Sequence, residues 1–279
     1  MWEPRGHADM YGAVITPSRT ADFDVFFLHN EGYSTMCGHA VIALTRLVLE
    51  AGLMPPDTTE VLFDVPCGLI AARADMEQGF VTRSYFRNVP SYVALANAIV
   101  EVPGLGSVPF DIAYGGAYYA IVEAHRLDLA LECTETDRLI DLGRRIKNAV
   151  MTNFPVSHPD QPDLSFLYGT IFTGPASDPA HHSRNVCIFA DGEVDRSPTG
   201  SGVSARAALH YARGELALNE TIRIESILGS TMDVTAIEAT RFANGSAIIP
   251  EVSGTSAFIG KHTFWIEPGD SLKHGFLLR

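Results

Sequence analysis

The sequence has 279 residues, 46% of them hydrophobic and 19% charged, and 20 Lys and Arg against 33 Asp and Glu leave a net charge of −13. Such a composition describes a globular chain, neither disordered nor membrane-spanning. The acid surplus argues against a nucleic-acid partner, whose phosphates require clustered Lys and Arg.

No uncharged apolar run approaches the roughly 18 residues of a bilayer span. The length exceeds what one growing core usually holds, so two domains are expected. Four cysteines, at 37, 67, 133 and 187, are too sparse for a disulfide framework and read as reduced thiols in a cytoplasmic protein.

Along the chain, residues 22–28 read as a strand and Asn30-Glu31-Gly32 as a turn. From Cys37 to Glu50 the spacing of Val41, Ile42, Leu44, Leu47 and Val48 predicts a helix with one buried face, stopped by Gly52 and Pro55-Pro56. Short strands are expected near 60–65, 69–74, 79–86, 94–102 and 116–123. A helix starting at Thr134 or Thr136 carries Leu139, Leu142, Ile146 and Val150 at helical spacing. Strands Leu164–Phe172 and Val186–Ala190 follow, and then a helix from Thr199 to Arg213.

These elements repeat. A shift of 162 residues lays the strand–turn–helix of 24–47 on that of 186–209 without a gap. Glu31 then falls on Glu193, Cys37 on Thr199, Gly38 on Gly200 and Val41 on Val203. The echo predicts two similar domains, each a set of strands around one buried helix.

Chemistry concentrates at the two matching helix starts, Met36-Cys37-Gly38-His39-Ala40 and Asp195-Arg196-Ser197-Pro198-Thr199-Gly200-Ser201-Gly202. The first N–H groups of a helix lack internal acceptors, and the helix dipole places positive potential there. A carboxylate can sit at such an end, and negative charge on sulfur is favoured too. The glycines let a ligand approach the backbone. Cys67, Cys133 and Cys187 read instead as small buried hydrophobes. One Cys and one His two residues apart are too few for a metal site. His181-His182 reads as a solvated loop pair.

Four segments together carry a resemblance: Glu3-Pro4-Arg5-Gly6-His7, Met36-Cys37-Gly38-His39, Gly115-Gly116-Ala117-Tyr118-Tyr119-Ala120 and Asp195-Arg196-Ser197-Pro198-x-Gly200-x-Gly202. The sequence resembles the proline racemase family over nearly its whole length. The resemblance implies an α+β, diaminopimelate epimerase-like fold of two pseudo-symmetric domains. In each, a mixed β-sheet wraps around a central helix, and two cysteines flank the substrate α-carbon. It implies a first domain of residues 1–110 plus 262–279 and a second of 111–261, with the C-terminal stretch returning to the first. Members of the family extend several dozen residues ahead of the Glu3-Pro4 segment. An unpaired sheet edge and an open flank on the first core are therefore expected, with a misassigned start, a short isoform or a degraded gene as explanations.

Racemisation needs one acid–base group on each face of the α-carbon. Here the first position is Cys37 and the second is Thr199, whose hydroxyl is far less acidic than a thiol. A proton can leave on one face but is not returned on the other. A hydroxyl on the β-carbon can then depart as water. A subgroup of the family with Thr at this position dehydrates trans-3-hydroxy-L-proline to Δ1-pyrroline-2-carboxylate. The resemblance implies that activity and a small imino acid substrate, with no cofactor and no metal.

Cys37 is expected to be the catalytic base. The backbones of Gly38, His39, Gly200 and Ser201 are expected to hold the carboxylate, and Asp195 the ring ammonium. His39 contacts the amine or assists departure of hydroxide. Thr199 hydrogen-bonds the 3-hydroxyl or fills the space of the second thiol. The alternatives are a proline or hydroxyproline racemase or epimerase, and an inactive truncated homologue. A homodimer is left open.

Overall fold

The computed structural model describes residues 1–242 and 245–278. Its elements in chain order begin with β1 (Gly12–Pro17), β2 (Phe23–Leu28), β3 (Tyr33–Ser34), α1 (Gly38–Glu50), β4 (Val61–Val65), β5 (Gly68–Glu77) and β6 (Phe80–Arg87). Next come β7 (Tyr92–Val102), β8 (Gly106–Tyr114), β9 (Tyr118–Glu123) and α2 (Thr136–Asn153). The chain continues through β10 (Leu167–Gly174), β11 (Ser183–Phe189), β12 (Glu193–Val194), α3 (Gly200–Ala212), β13 (Thr221–Glu225), β14 (Thr231–Phe242) and β15 (Gly245–Gly254). Among the described residues no helix is long and apolar enough to cross a membrane.

The fold is α+β, and its two units have the same wiring. In the first, β2 is antiparallel to β1 and parallel to β4, and β4, β5 and β6 form an antiparallel meander. In the second, β11 is antiparallel to β10 and parallel to β13, and β13, β14 and β15 form the same meander. Helices α1 and α3 occupy equivalent places between the parallel strands, and the 162-residue offset holds at both of their ends. β15 also pairs with β6, with Val252 opposite Phe86, which joins the units edge to edge.

The units differ in what surrounds the helix. The second unit adds β9, β8 and β7 beyond β10, and the bridge Ser91–Ile248 brings that end back beside β15. α3 is accordingly buried from Gly200 to Leu209 on all sides. Its small residues (Gly-Ser-Gly-Val-Ser-Ala) let strands approach from every direction. In the first unit β1 pairs with β2 on one side only among the described residues, and α1 leaves Ala43 exposed. Residues 255–278 contain no helix or strand. They run past this flank, where Phe258 lies 5.0 Å from the Arg46 guanidinium and Phe276 bridges to Glu3.

One apolar core joins α1 (Val41, Ile42, Val48) to Phe63, Ile70 and Phe86 and to Val203 and Ala207 of α3. A second lies under α2, whose Leu139, Leu142, Ile146 and Val150 form one face against the β8–β11 sheet. α2 therefore packs outside the second unit, while α3 is its central helix.

Three sequence expectations need correction. Strand Leu164–Phe172 begins at Leu167, because Pro162–Leu164 makes a short 3-10 turn. Cys133 is exposed, since it opens the turn before α2. His181 is not a solvated histidine: its Nδ1 lies 2.8 Å from the buried Glu225 carboxylate, at the mouth of the β11–β13 pair.

Candidate active site

The Cys37 loop is pinned before the helix begins. The Ser34 hydroxyl donates to Met36 O at 3.1 Å, Thr35 donates to Gly116 O at 2.7 Å, and Cys67 N–H donates to Thr35 O at 3.1 Å. Cys37 then serves as N-cap of α1 in extended conformation. The second loop is held by nested turns. Asp195 N–H donates to Cys187 O at 3.0 Å, Ser197 N–H to Asp195 Oδ1 at 2.8 Å, and Thr199 N–H to Ser197 Oγ at 3.0 Å. Short oxygen-bearing side chains that bond the backbone two residues on make such turns. Thr199 caps α3 at φ 67, a region that costs a β-branched residue roughly 1–3 kcal/mol and that persists where surroundings enforce it.

The two helix starts abut at their glycines. A Cβ on Gly38 would stand 2.6 Å from Gly200 Cα, and one on Gly200 would stand 2.6 Å from Gly38 Cα, so any side chain would force the helices apart. Cys37, Gly38, His39, Asp195, Thr199, Gly200 and Ser201 line one inner chamber. Its free volume is about 10 Å³, no more than a single water requires. An outer cleft of about 640 Å³ reaches His39 and Asp195 from the surface.

Charge is arranged around His39. Its Nδ1 is 3.1 Å from Ser197 Oγ and 3.7 Å from Asp195 Oδ1. Burial alone would lower its pKa, but its interactions with Cys37 and then with the Asp195 carboxylate outweigh it and push the value up to about 9. His39 is therefore an imidazolium at neutral pH, set between Cys37 and Asp195. Cys67 and Cys187 are buried away from water, which pushes the first thiol up to about 12 and the second well above its usual value. Cys37 is thus the one thiol lining the chamber. Thr199 Oγ1 is buried beside Cys187 but makes no hydrogen bond of normal geometry. Among the described residues, no three His, Cys, Asp or Glu side chains gather as a metal site requires.

Sequence reasoning missed four chamber residues: Tyr11, Met36, Tyr168 and Phe189. Tyr119, from the Gly115–Ala120 segment, also enters the chamber, where its hydroxyl reaches Ser201 Oγ at 2.7 Å. Arg206, in contrast, is structural as its position suggested, donating to Ser183 Oγ and Asn185 Oδ1 from a fully packed site.

The family model described as proline racemase matches residues 1–277. The chain belongs to the proline racemase family. It is 54% identical, over all of its length and 80% of the relative's, to a protein of Colwellia psychrerythraea named trans-3-hydroxy-L-proline dehydratase. A Homo sapiens protein of the same name is 46% identical, with all of this chain and 82% of that one covered. Among solved structures, a hydroxyproline epimerase from Agrobacterium vitis with bound trans-4-hydroxy-L-proline superposes with a TM-score of 0.93 at 31% identity. That match covers all of this chain and 81% of the other. The two abutting helix starts of this chain thus carry sulfur at one, Cys37, and a hydroxyl at the other, Thr199.

Proposed function

We propose that this chain dehydrates trans-3-hydroxy-L-proline to Δ1-pyrroline-2-carboxylate. The observation that carries the reading is the chamber with a thiol at the first helix start and a Thr at the second. The names of the Colwellia and human relatives support the same substrate.

In this reading the substrate carboxylate sits against the first N–H groups of α1 and α3, at Gly38-His39 and Gly200-Ser201. Donors aimed there also stabilise the charge that develops as the α-proton leaves. Asp195 takes the ring ammonium through a charge-assisted hydrogen bond. The Cys37 thiolate, balanced by the His39 imidazolium, removes the α-proton. The C–H electron pair becomes the C2–C3 double bond, the C3–O bond breaks, and the enamine tautomerises to the imine. Admission of a five-membered ring requires the abutting helix starts to separate and close again. The expected boundary at residue 110 would cut β8, which pairs with β7 and β9 in the second unit, so the two bodies that move are, in this proposal, the unit of β1–β6 with residues 262–278 and the unit of β7–β15. The enzyme would act on cytoplasmic imino acids, and sedimentation would test a homodimer.

The test is incubation with trans-3-hydroxy-L-proline and detection of the imine with o-aminobenzaldehyde. Imine formation is expected. Silence with this compound, together with racemisation of proline or epimerisation of a hydroxyproline, would replace the reading by the racemase alternative.

A further inference from the structure

We propose that Tyr11 is the acid that protonates the departing 3-hydroxyl. The proposal rests on the dehydratase reading above and follows first from stereochemistry. In trans-3-hydroxy-L-proline the carboxylate and the 3-hydroxyl lie on opposite faces of the ring. The α-hydrogen is opposite the carboxylate, so it shares a face with the hydroxyl. If Cys37 takes that hydrogen, the oxygen leaves on the Cys37 side. Thr199, at the equivalent position of the other helix start, stands on the far face. Its part is then to offer no proton there, and the donor for the leaving group has to come from the Cys37 side of the chamber.

Donors on that side are few. Tyr119 is committed to Ser201 of α3. His39 is held between Cys37, Ser197 and Asp195, and its raised pKa retains its proton. Tyr168 stacks on Phe189 with ring centroids 5.2 Å apart. Tyr11, just ahead of β1, lines both the outer cleft and the inner chamber. Its ring meets His39 edge-on at 5.4 Å and Phe189 at 6.0 Å. Its hydroxyl is buried and makes no hydrogen bond of normal geometry, although Ser34 and Tyr168 lie beside it. A buried donor with no acceptor costs free energy until something accepts its proton.

The proton ledger closes without solvent. Cys37 thiolate takes the α-proton and becomes a thiol. The C3–O electron pair leaves with oxygen, which takes the Tyr11 proton and departs as water. The Tyr11 phenolate then recovers a proton from the Cys37 thiol, and both groups return to their starting states. Burial, and after it the negative charge of Cys37, pushes the Tyr11 hydroxyl well above its usual value. It is therefore protonated when needed, and its phenolate is basic enough to reclaim the proton.

The deciding experiment compares wild type with Tyr11→Phe, which removes only the phenolic oxygen. Imine formation is measured beside deuterium uptake at the α-carbon of recovered substrate in D2O. Binding of pyrrole-2-carboxylate serves as the check that the site is intact. General acid catalysis contributes about 10²–10⁴-fold, so dehydration by the variant should fall at least about 100-fold while α-deuteration persists or rises. Dehydration within about threefold of wild type would overturn the assignment. So would loss of both dehydration and deuterium uptake in a variant that still binds the analogue. A wild-type enzyme that forms no imine from this substrate would instead sink the dehydratase reading, a result separable from any behaviour of the variant.

Discussion

The helix starts at Cys37 and Thr199 occupy the same place in two units of the same wiring, yet differ in three respects. One carries sulfur and the other a hydroxyl. One opens a helix with an exposed flank, the other a helix buried on every side. One is preceded by an exposed Glu31 and the other by Glu193, which is 0% exposed. Repetition of a backbone arrangement thus fixes where the first N–H groups of both helices point, while single side chains at equivalent positions give the chamber a thiol on one side only.

The largest expected effect comes from removing the sulfur. Cys37→Ser should cut imine formation by at least about 10³-fold, as loss of an essential base does, while the thermal melt stays near that of wild type. Retained turnover would place the base elsewhere.

Next is the contact between the helix starts. Gly200→Ala puts a methyl 2.6 Å from Gly38 Cα. Overpacking of this kind costs about 1–3 kcal/mol. A lower melting temperature and a reduced kcat/KM should appear together. An unchanged melt would mean the two starts are not held in contact in solution.

The buried and exposed glutamates sharpen the comparison through pH. Burial first, and then Asp9, Asp195 and Glu31, raise the Glu193 carboxyl to about 7, against the opposing hydrogen bond from Asn30 N–H. Its Oε2 and the nearby Asn30 Oδ1 are both buried acceptors without partners. A raised carboxyl binds its proton more tightly in the folded state. The stability it lends is full below about 4.5 and is lost as pH rises through about 7. Glu193→Gln should therefore gain about 1–3 kcal/mol relative to wild type on going from pH 5 to pH 8. Glu31→Gln should change stability by less than about 0.5 kcal/mol at either pH. Chemical denaturation at the two pH values measures both, and a pH-independent Glu193→Gln difference would contradict the assignment.

The smallest effect is a gain. Thr199→Cys should let L-proline lose its α-proton on one face and recover one on the other, so that a trace of D-proline accumulates on chiral chromatography. Its complete absence would show that a thiol at this position is not enough to complete the second face.

Much of the fold was legible because helical periodicity is local. Val41, Leu44 and Val48, and Leu139, Leu142 and Ile146, announce their helices and buried faces. The 162-residue echo holds between α1 and α3 at both ends, and each helix begins one residue after the expected Cys37 and Thr199, which cap them. Among the described residues seven strands escaped: the two-residue β3 and β12, β13–β15 after the second helix, and β1 and β8. β1 lies at a sheet edge with a largely exposed pattern, so its alternation is weak. β8 contains Pro109, which argues against a strand. The structure accommodates it because β8 pairs with β9 only over Asp111–Tyr114, beyond the proline.

Composition and local order therefore determined a globular chain of strands and helices with two equivalent helix starts, one bearing a thiol; the α+β class came from the family resemblance. The tertiary structure alone decided that those starts meet glycine to glycine. It alone brought Tyr11, Tyr119 and Tyr168 from separate strands and loops into one chamber with Cys37. A side chain's burial is written in the periodicity of its own element. Its partner across the chamber is set by strand order and register, which depend on the summed packing of the whole sheet and leave no mark in local spacing.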